Sequence, residues 1–220
     1  MLKMTKVELV LISDIDQQVF IEKGLRGGIS YIAHRYAKAN NKYLDNYNPE
    51  IDDSYLMYLD ANNLYGSAMS QRLPTGNFKW LINPEIVNLG NYDENSNKGI
   101  ILEVDLEYPE ELHQLHNDYP CAPEKMIITN EMLSDYAKNL KDLHGVSIGR
   151  VNKLVTTLFN KEIYVLHYRN LQLYLSLGLK LTKIHRVLEF DQSPWLKEYI
   201  DFNTEMRKNA KNSFEKDFLN

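Results

Sequence analysis

Strand-like and helix-like stretches follow one another in this 220-residue chain without the regular strand–helix alternation of a parallel sheet, which predicts an α+β fold. The composition agrees: 44% hydrophobic and 25% charged is enough to build a core, and it excludes a disordered tail, a collagen-like repeat and a coiled coil. No stretch approaches about eighteen consecutive apolar residues, so no membrane span is expected. The opening MLKMTKVELVLISD lacks a small-residue cleavage site and is not read as a signal peptide. Cys121 is the single cysteine, so an internal disulfide and a cysteine zinc framework are both ruled out, and an intracellular, reducing compartment is expected.

Tyr55 to Leu59 (YLMYL) predicts a short buried strand after an Asp-Asp-Ser turn, with Asp60 at its end. Asn62 to Met69 predicts a short helix, broken by Leu73-Pro74-Thr75-Gly76. Gly99 to Leu106 predicts a second strand. Asn130 is placed as the N-cap of a helix from Glu131 to about Leu143, closed by Gly145. Lys153–Phe159, a turn at Asn160-Lys161, and Glu162–Leu166 predict a hairpin. A helix through His167–Leu177 ends at Gly178, and Leu179 to Phe190 predicts a strand. His113 and His116 lack a third metal ligand in view and are read as a surface or core pair.

Ser193 and Pro194 are placed as N-cap and first residue of a final helix. Trp195, Tyr199, Phe202, Met206, Ala210, Phe214 and Phe218 recur at spacings of three and four and predict a core stripe. The rest of that helix carries Lys197, Arg207, Lys208, Lys211 and Lys216.

Net charge is −5, but it is unevenly spread. Glu85 to Glu124 holds ten acidic residues and one base, a local net of −9; Lys138 to Arg186 holds nine bases and two acids, a local net of +7. Such asymmetry points either to an anionic partner on the second segment or to two solvated faces that compensate each other.

The strongest local signal is Tyr58 to Gly66, YLDANNLYG, a carboxylate following a hydrophobic run. Asp60-Ala61-Asn62-Asn63-Leu64-Tyr65-Gly66 resembles motif A of the family B DNA polymerases, Asp-x-x-Ser-Leu-Tyr-Pro, with Asn63 at the serine and Gly66 at the proline. The wider string YLMYLDANNLYGSAMSQRLPTGNFKW, and the similarity through EVDLEYPEELHQLHNDYPCAPEKM and YVLHYRNLQLYLSLGLKLTKIHRVLEF, resembles the protein-primed organellar and viral branch, including Polinton/Maverick-type elements. Upstream, Leu25-Arg26-Gly27-Gly28 is similar to that family's Tyr-x-Gly-Gly element, with Leu25 at the tyrosine.

The resemblance implies four parts. Residues 1–23 would be an upstream linker or the end of an exonuclease region. Residues 24–80 would be a palm part with the template-loop element and motif A. Residues 81–192 would hold the insertion that receives a terminal protein, with a return to the palm, and residues 193–220 would begin a fingers helix. It implies that Asp60 binds two catalytic Mg²⁺ ions with help from the Ala61 carbonyl. Backbone N–H groups near Asn63 and Leu64 would hold the incoming triphosphate, and the Tyr65 ring would exclude a ribose 2′-hydroxyl. Arg207, Lys208 and Lys211 become triphosphate-binding candidates, and Arg26, Gly27 and Gly28 would contact template DNA. The implied partners are a DNA template-primer, deoxynucleoside triphosphates and a terminal protein, with no membrane. The implied reaction is deoxynucleotidyl transfer. Neither the motif B pattern Lys-x-x-x-Asn-Ser-x-Tyr-Gly nor the motif C pattern Tyr-x-Asp-Thr-Asp occurs in the sequence. The expectation is therefore a polymerase fragment that is inactive alone. The alternative is a non-catalytic remnant that binds nucleic acid or a partner protein.

Overall fold

The computed structural model describes residues 1–147 and 149–218; Ile148, Leu219 and Asn220, and the side chains of Leu2, Lys216 and Phe218, lie outside the described residues. The elements in chain order are helices α1 (Leu2–Thr5), α2 (Ile15–Gly24) and α3 (Leu64–Met69), strands β1 (Leu73–Trp80) and β2 (Lys98–Glu107), α4 (His113–His116), β3 (Glu124–Ile127), α5 (Asp135–His144), β4 (Asn152–Val155), β5 (Lys161–His167), α6 (Tyr168–Ser176), β6 (Lys180–Ser193), α7 (Lys197–Lys208) and α8 (Ser213–Phe218). Among the described residues no helix is long and apolar enough to cross a membrane.

Four strands form an antiparallel sheet in the order β1-β6-β2-β5. β2 lies between two neighbours; its apolar run Ile100–Leu102 is covered on both faces, and from Glu103 to Glu107 charged and apolar residues alternate. Ile100, Leu102, Val104 and Leu106 face one side, where Tyr168 and Leu171 of α6 complete the core. Ile101 faces the other, with Phe20 of α2, Val165 and Leu188. Glu103 is buried on that second face because Arg186 reaches it with two parallel hydrogen bonds, at 2.8 and 3.0 Å. The Arg186 guanidinium also lies 4.9 Å from the Phe20 ring centre and 5.2 Å from that of Trp80. β3 and β4 form a separate two-stranded sheet.

The helix after Asn62, the strands at Gly99 and Leu179 and the helix before Gly178 stand where expected. His116 is buried with Nδ1 2.8 Å from Tyr108 Oη, so the histidine pair belongs to the core. Several expectations are corrected. Tyr55–Leu59 is not a buried strand: it pairs with no strand among the described residues, and its side chains are exposed, Tyr58 at 96%. A strand forms only where its backbone groups meet a neighbour, and β1 and β5 end the sheet without it. α3 ends at Met69, ahead of Leu73–Gly76, and that segment goes on to open β1. Pro74 is tolerated because this is an edge strand, and register shifts flank Gly76.

The expected hairpin through Asn160-Lys161 is not one, since β4 pairs with β3 and β5 pairs with β2. Asn160 Oδ1 accepts the Tyr108 N–H at 2.8 Å, which ties the crossing to the end of β2 instead of turning it back. The helix expected from Asn130 starts later. Ser134 is its cap, accepting the Ala137 N–H at 3.2 Å, and Gly145 closes it at φ +61°.

The final helix is likewise two helices. β6 runs on to Ser193, α7 starts at Lys197, and the chain breaks at Asn209–Asn212. There Asn209 Nδ2 donates to Glu205 and Asn212 Oδ1 caps Glu215 N–H, side-chain bonds that compete with helix continuation. The stripe on it is not core either: Phe202, Met206 and Phe214 are exposed.

Candidate functional site

Asp60 and Ala61 are exposed at the end of the irregular stretch that leads into α3. Asn63 is the N-cap of α3 and sits in the left-handed region, φ 53° and ψ 43°, which asparagine tolerates better than most residues. Its Oδ1 accepts the Gly66 N–H at 3.2 Å. A Cβ on Gly66 would lie 2.4 Å from the Asn63 amide atoms. The two departures from the motif A pattern are thus one physical unit. Proline at 66 would have no N–H to give, and any side chain there would collide with the cap.

Leu64 and Tyr65 follow on the first turn of α3 and are exposed, Tyr65 at 84%. The Tyr65 ring is therefore not a core aromatic and is open to a ligand. α3 lies against α7, which brings the motif string beside the helix whose last turn carries Arg207 and Lys208. Lys208 Nζ is 4.0 Å from Glu205, and Lys211 lies in the turn between α7 and α8.

The Leu25–Gly28 element sits at the β5 edge of the sheet, opposite β1. Arg26 is half-buried and donates to the Val165 carbonyl at 2.6 Å and to the Gly24 carbonyl at 3.3 Å. Its guanidinium stacks 3.9 Å from the Tyr164 ring centre. Gly27 and Gly28 are exposed, and Gly28, at φ +78°, requires glycine. The structure thus places α3 near α7 and holds Arg26 to the edge of β5.

The charge asymmetry resolves in part within the molecule. Acids of the first segment pair with bases of the second: Glu103 with Arg186, Glu107 with Lys180, and Glu124 with Lys161. Arg150 and Lys153 carry no ion pair among the described residues. Among the described residues, no group of three or more His, Cys, Asp or Glu side chains could hold a metal ion. Asp60 and the Ala61 carbonyl do not by themselves make up the donor set of a two-cation centre.

Sequence reasoning missed the most deeply buried cation. Lys161, assigned to a turn, is 1% exposed, with its ammonium on Glu124 Oε1 at 2.7 Å and on Thr157 Oγ1 at 2.6 Å. No periodicity signals such a residue, because its partners come from distant positions. His167 was read only as a helix start. Burial, then the charge of Arg169, pushes its imidazole down to about 4.

No protein-family model matches the chain, and no curated protein matches it. Among solved structures, the fold is similar to Phi29 DNA polymerase in an orthorhombic crystal form, with a TM-score of 0.49 and 13% identity over 97% of this chain. It is also similar to Phi29 DNA polymerase complexed with primer-template DNA and incoming nucleotide substrates, with a TM-score of 0.45 and 14% identity over 97% of this chain. The chain spans 31% of the length of each.

Proposed function

We propose that this chain is the motif A part of a family B DNA polymerase of the protein-primed type, serving template-directed deoxynucleotidyl transfer. The observation that carries the reading is the Asp60–Gly66 string, folded as an exposed carboxylate followed by an exposed aromatic on a capped turn. In this reading Asp60 and the Ala61 carbonyl contribute to a Mg²⁺ site that needs further carboxylates from elsewhere in the polymerase. Mg²⁺, when bound, would stabilise charge on the attacking and leaving oxygens. The backbone around Asn63 and Leu64, with Arg207, Lys208 and Lys211, would bind the triphosphate. Arg26, Gly27 and Gly28 would lie along template DNA. The region from 81 to 192 would meet a terminal protein, and the fingers would begin at 193.

The role of Tyr65 gives the sharpest test. A ribonucleotide adds one hydroxyl where the ring face would leave no room. In a polymerase completed with motifs B and C, Tyr65→Val is expected to raise the ratio of ribo- to deoxynucleotide incorporation about tenfold or more, the scale of one steric contact. Tyr65→Phe is expected to leave the ratio near wild type. The chain alone is expected to show no primer extension with Mg²⁺ or Mn²⁺. An unchanged ratio in Tyr65→Val, together with an Asp60→Asn enzyme as active as wild type, would favour the alternative of a non-catalytic part that binds nucleic acid or a partner protein.

A further inference from the structure

The chain leaves the core at Ala122 and rejoins the main sheet at Lys161, and both residues are buried, at 0% and 1% exposure. Between them run β3, α5 and β4, and none of the described residues from Pro123 to Asn160 is buried. β3 and β4 pair only with each other. A two-stranded sheet without a core of its own is marginal by itself, so its placement rests on its roots.

The roots are joined by one side chain. The Lys161 ammonium, 0% exposed, donates to Glu124 Oε1 at 2.7 Å, to Thr157 Oγ1 at 2.6 Å and to the Thr157 carbonyl at 3.3 Å. Glu124 opens β3, Thr157 follows β4, and Lys161 opens β5. All three ammonium protons are engaged, and both legs of the excursion are tied to the main sheet. Tyr164 Oη adds a bond to the Pro123 carbonyl at 2.9 Å. Ala122 itself sits at φ +52°, a conformation an alanine rarely adopts. On the inner side, a cavity of about 800 Å³ separates this excursion from residues 28–33, with Met126, Ile128 and Leu154 on the excursion's wall.

We propose that β3 and β4 form a hinged arm that opens as one unit about its roots at Ala122 and Thr157–Lys161, with Lys161 as the latch that sets the width of the cavity against residues 28–33. Lys161 is thus a positioning residue. Burial pulls its pKa below the ordinary lysine value while Glu124 holds it up. Removing either partner leaves the other group unpaired and breaks the attachment of both legs.

Hydrogen exchange read by mass spectrometry on the whole chain tests this. The variants are Lys161→Met and the gentler Glu124→Gln, whose site is 28% exposed and therefore tolerant of change. Peptides covering 124–127 and 152–158 are expected to exchange about tenfold faster in both variants, with β2 and β6 at wild-type rates. Equal acceleration in β2 and β6 would make Lys161 a global core residue and overturn the latch. So would unchanged arm peptides, or acceleration of β3 without β4. If Lys161→Met fails to fold, the Glu124→Gln pattern decides alone.

Discussion

Asn63 and Gly66 answer each other across one turn, and a double-mutant cycle can measure it. Asn63→Ala removes the α3 cap and is expected to cost about 1 kcal/mol. Gly66→Pro removes the donor and adds atoms where there is no space. Pairing it with Asn63→Ser, which restores the motif A pattern at both positions, is expected to recover part of the loss, with a coupling of about 0.5 kcal/mol or more. Denaturant unfolding of wild type, Asn63→Ser, Gly66→Pro and the double variant is the measurement, and strictly additive losses would disprove the unit. His167 makes a pH prediction at the same scale. An unfolded histidine takes up its proton near pH 6.5, whereas burial and Arg169 push the folded imidazole down to about 4. Above pH 6.5 the ring is neutral in both states and its contribution is fully present. As pH falls toward 4, the unfolded chain binds a proton that the folded chain refuses, so stability is lost across that window, by about 2–3 kcal/mol. Melting temperature followed from pH 7 to pH 4 is expected to fall less steeply in His167→Gln than in wild type.

At the scale of elements, α2 is fastened to the sheet by the Phe20 ring, with Ile21 packed beside it and Gln17 Nε2 donating to the Phe78 carbonyl at 3.3 Å. Phe20 is 1% exposed and meets Trp80 edge-on at 4.8 Å, above the Glu103–Arg186 pair. Phe20→Ala is expected to cost about 3–5 kcal/mol in urea unfolding, with fast exchange over 15–24. A loss under about 1 kcal/mol would mean that α2 docks through other contacts. This helix was not legible in the sequence, because Phe20 and its sheet partners are far apart along the chain and Ile15–Gly24 shows almost no amphipathic pattern. β2, β6 and α6 were legible because their apolar residues recur locally and end at Pro109 or Gly178. β1 was hidden because Pro74 and Gly76 are usual breakers, tolerated here by an edge position and a bulge. The α3 turn was readable from the motif string, whereas the role of Asn63 as a left-handed cap required the backbone. The two-stranded sheet was missed because β3 and β4 are short and separated by α5, so no local turn announces their pairing.

Across the whole molecule, the opposite charges of the two segments meet in three pairs, Glu103–Arg186, Glu107–Lys180 and Glu124–Lys161. The apolar groups are less fully placed, and Tyr55–Leu59 is the plainest case, with five consecutive side chains 58–96% exposed. Short runs of this kind, rich in β-formers and free of charge and proline, stack into cross-β assemblies when they meet copies of themselves. Asp52 and Asp53 precede the run and Asp60 follows it, where like-charge repulsion acts as a gatekeeper against stacking. Asp60 is thereby expected to help keep chains dispersed, and a neutral residue at position 60 is expected to raise the light scattering of the chain.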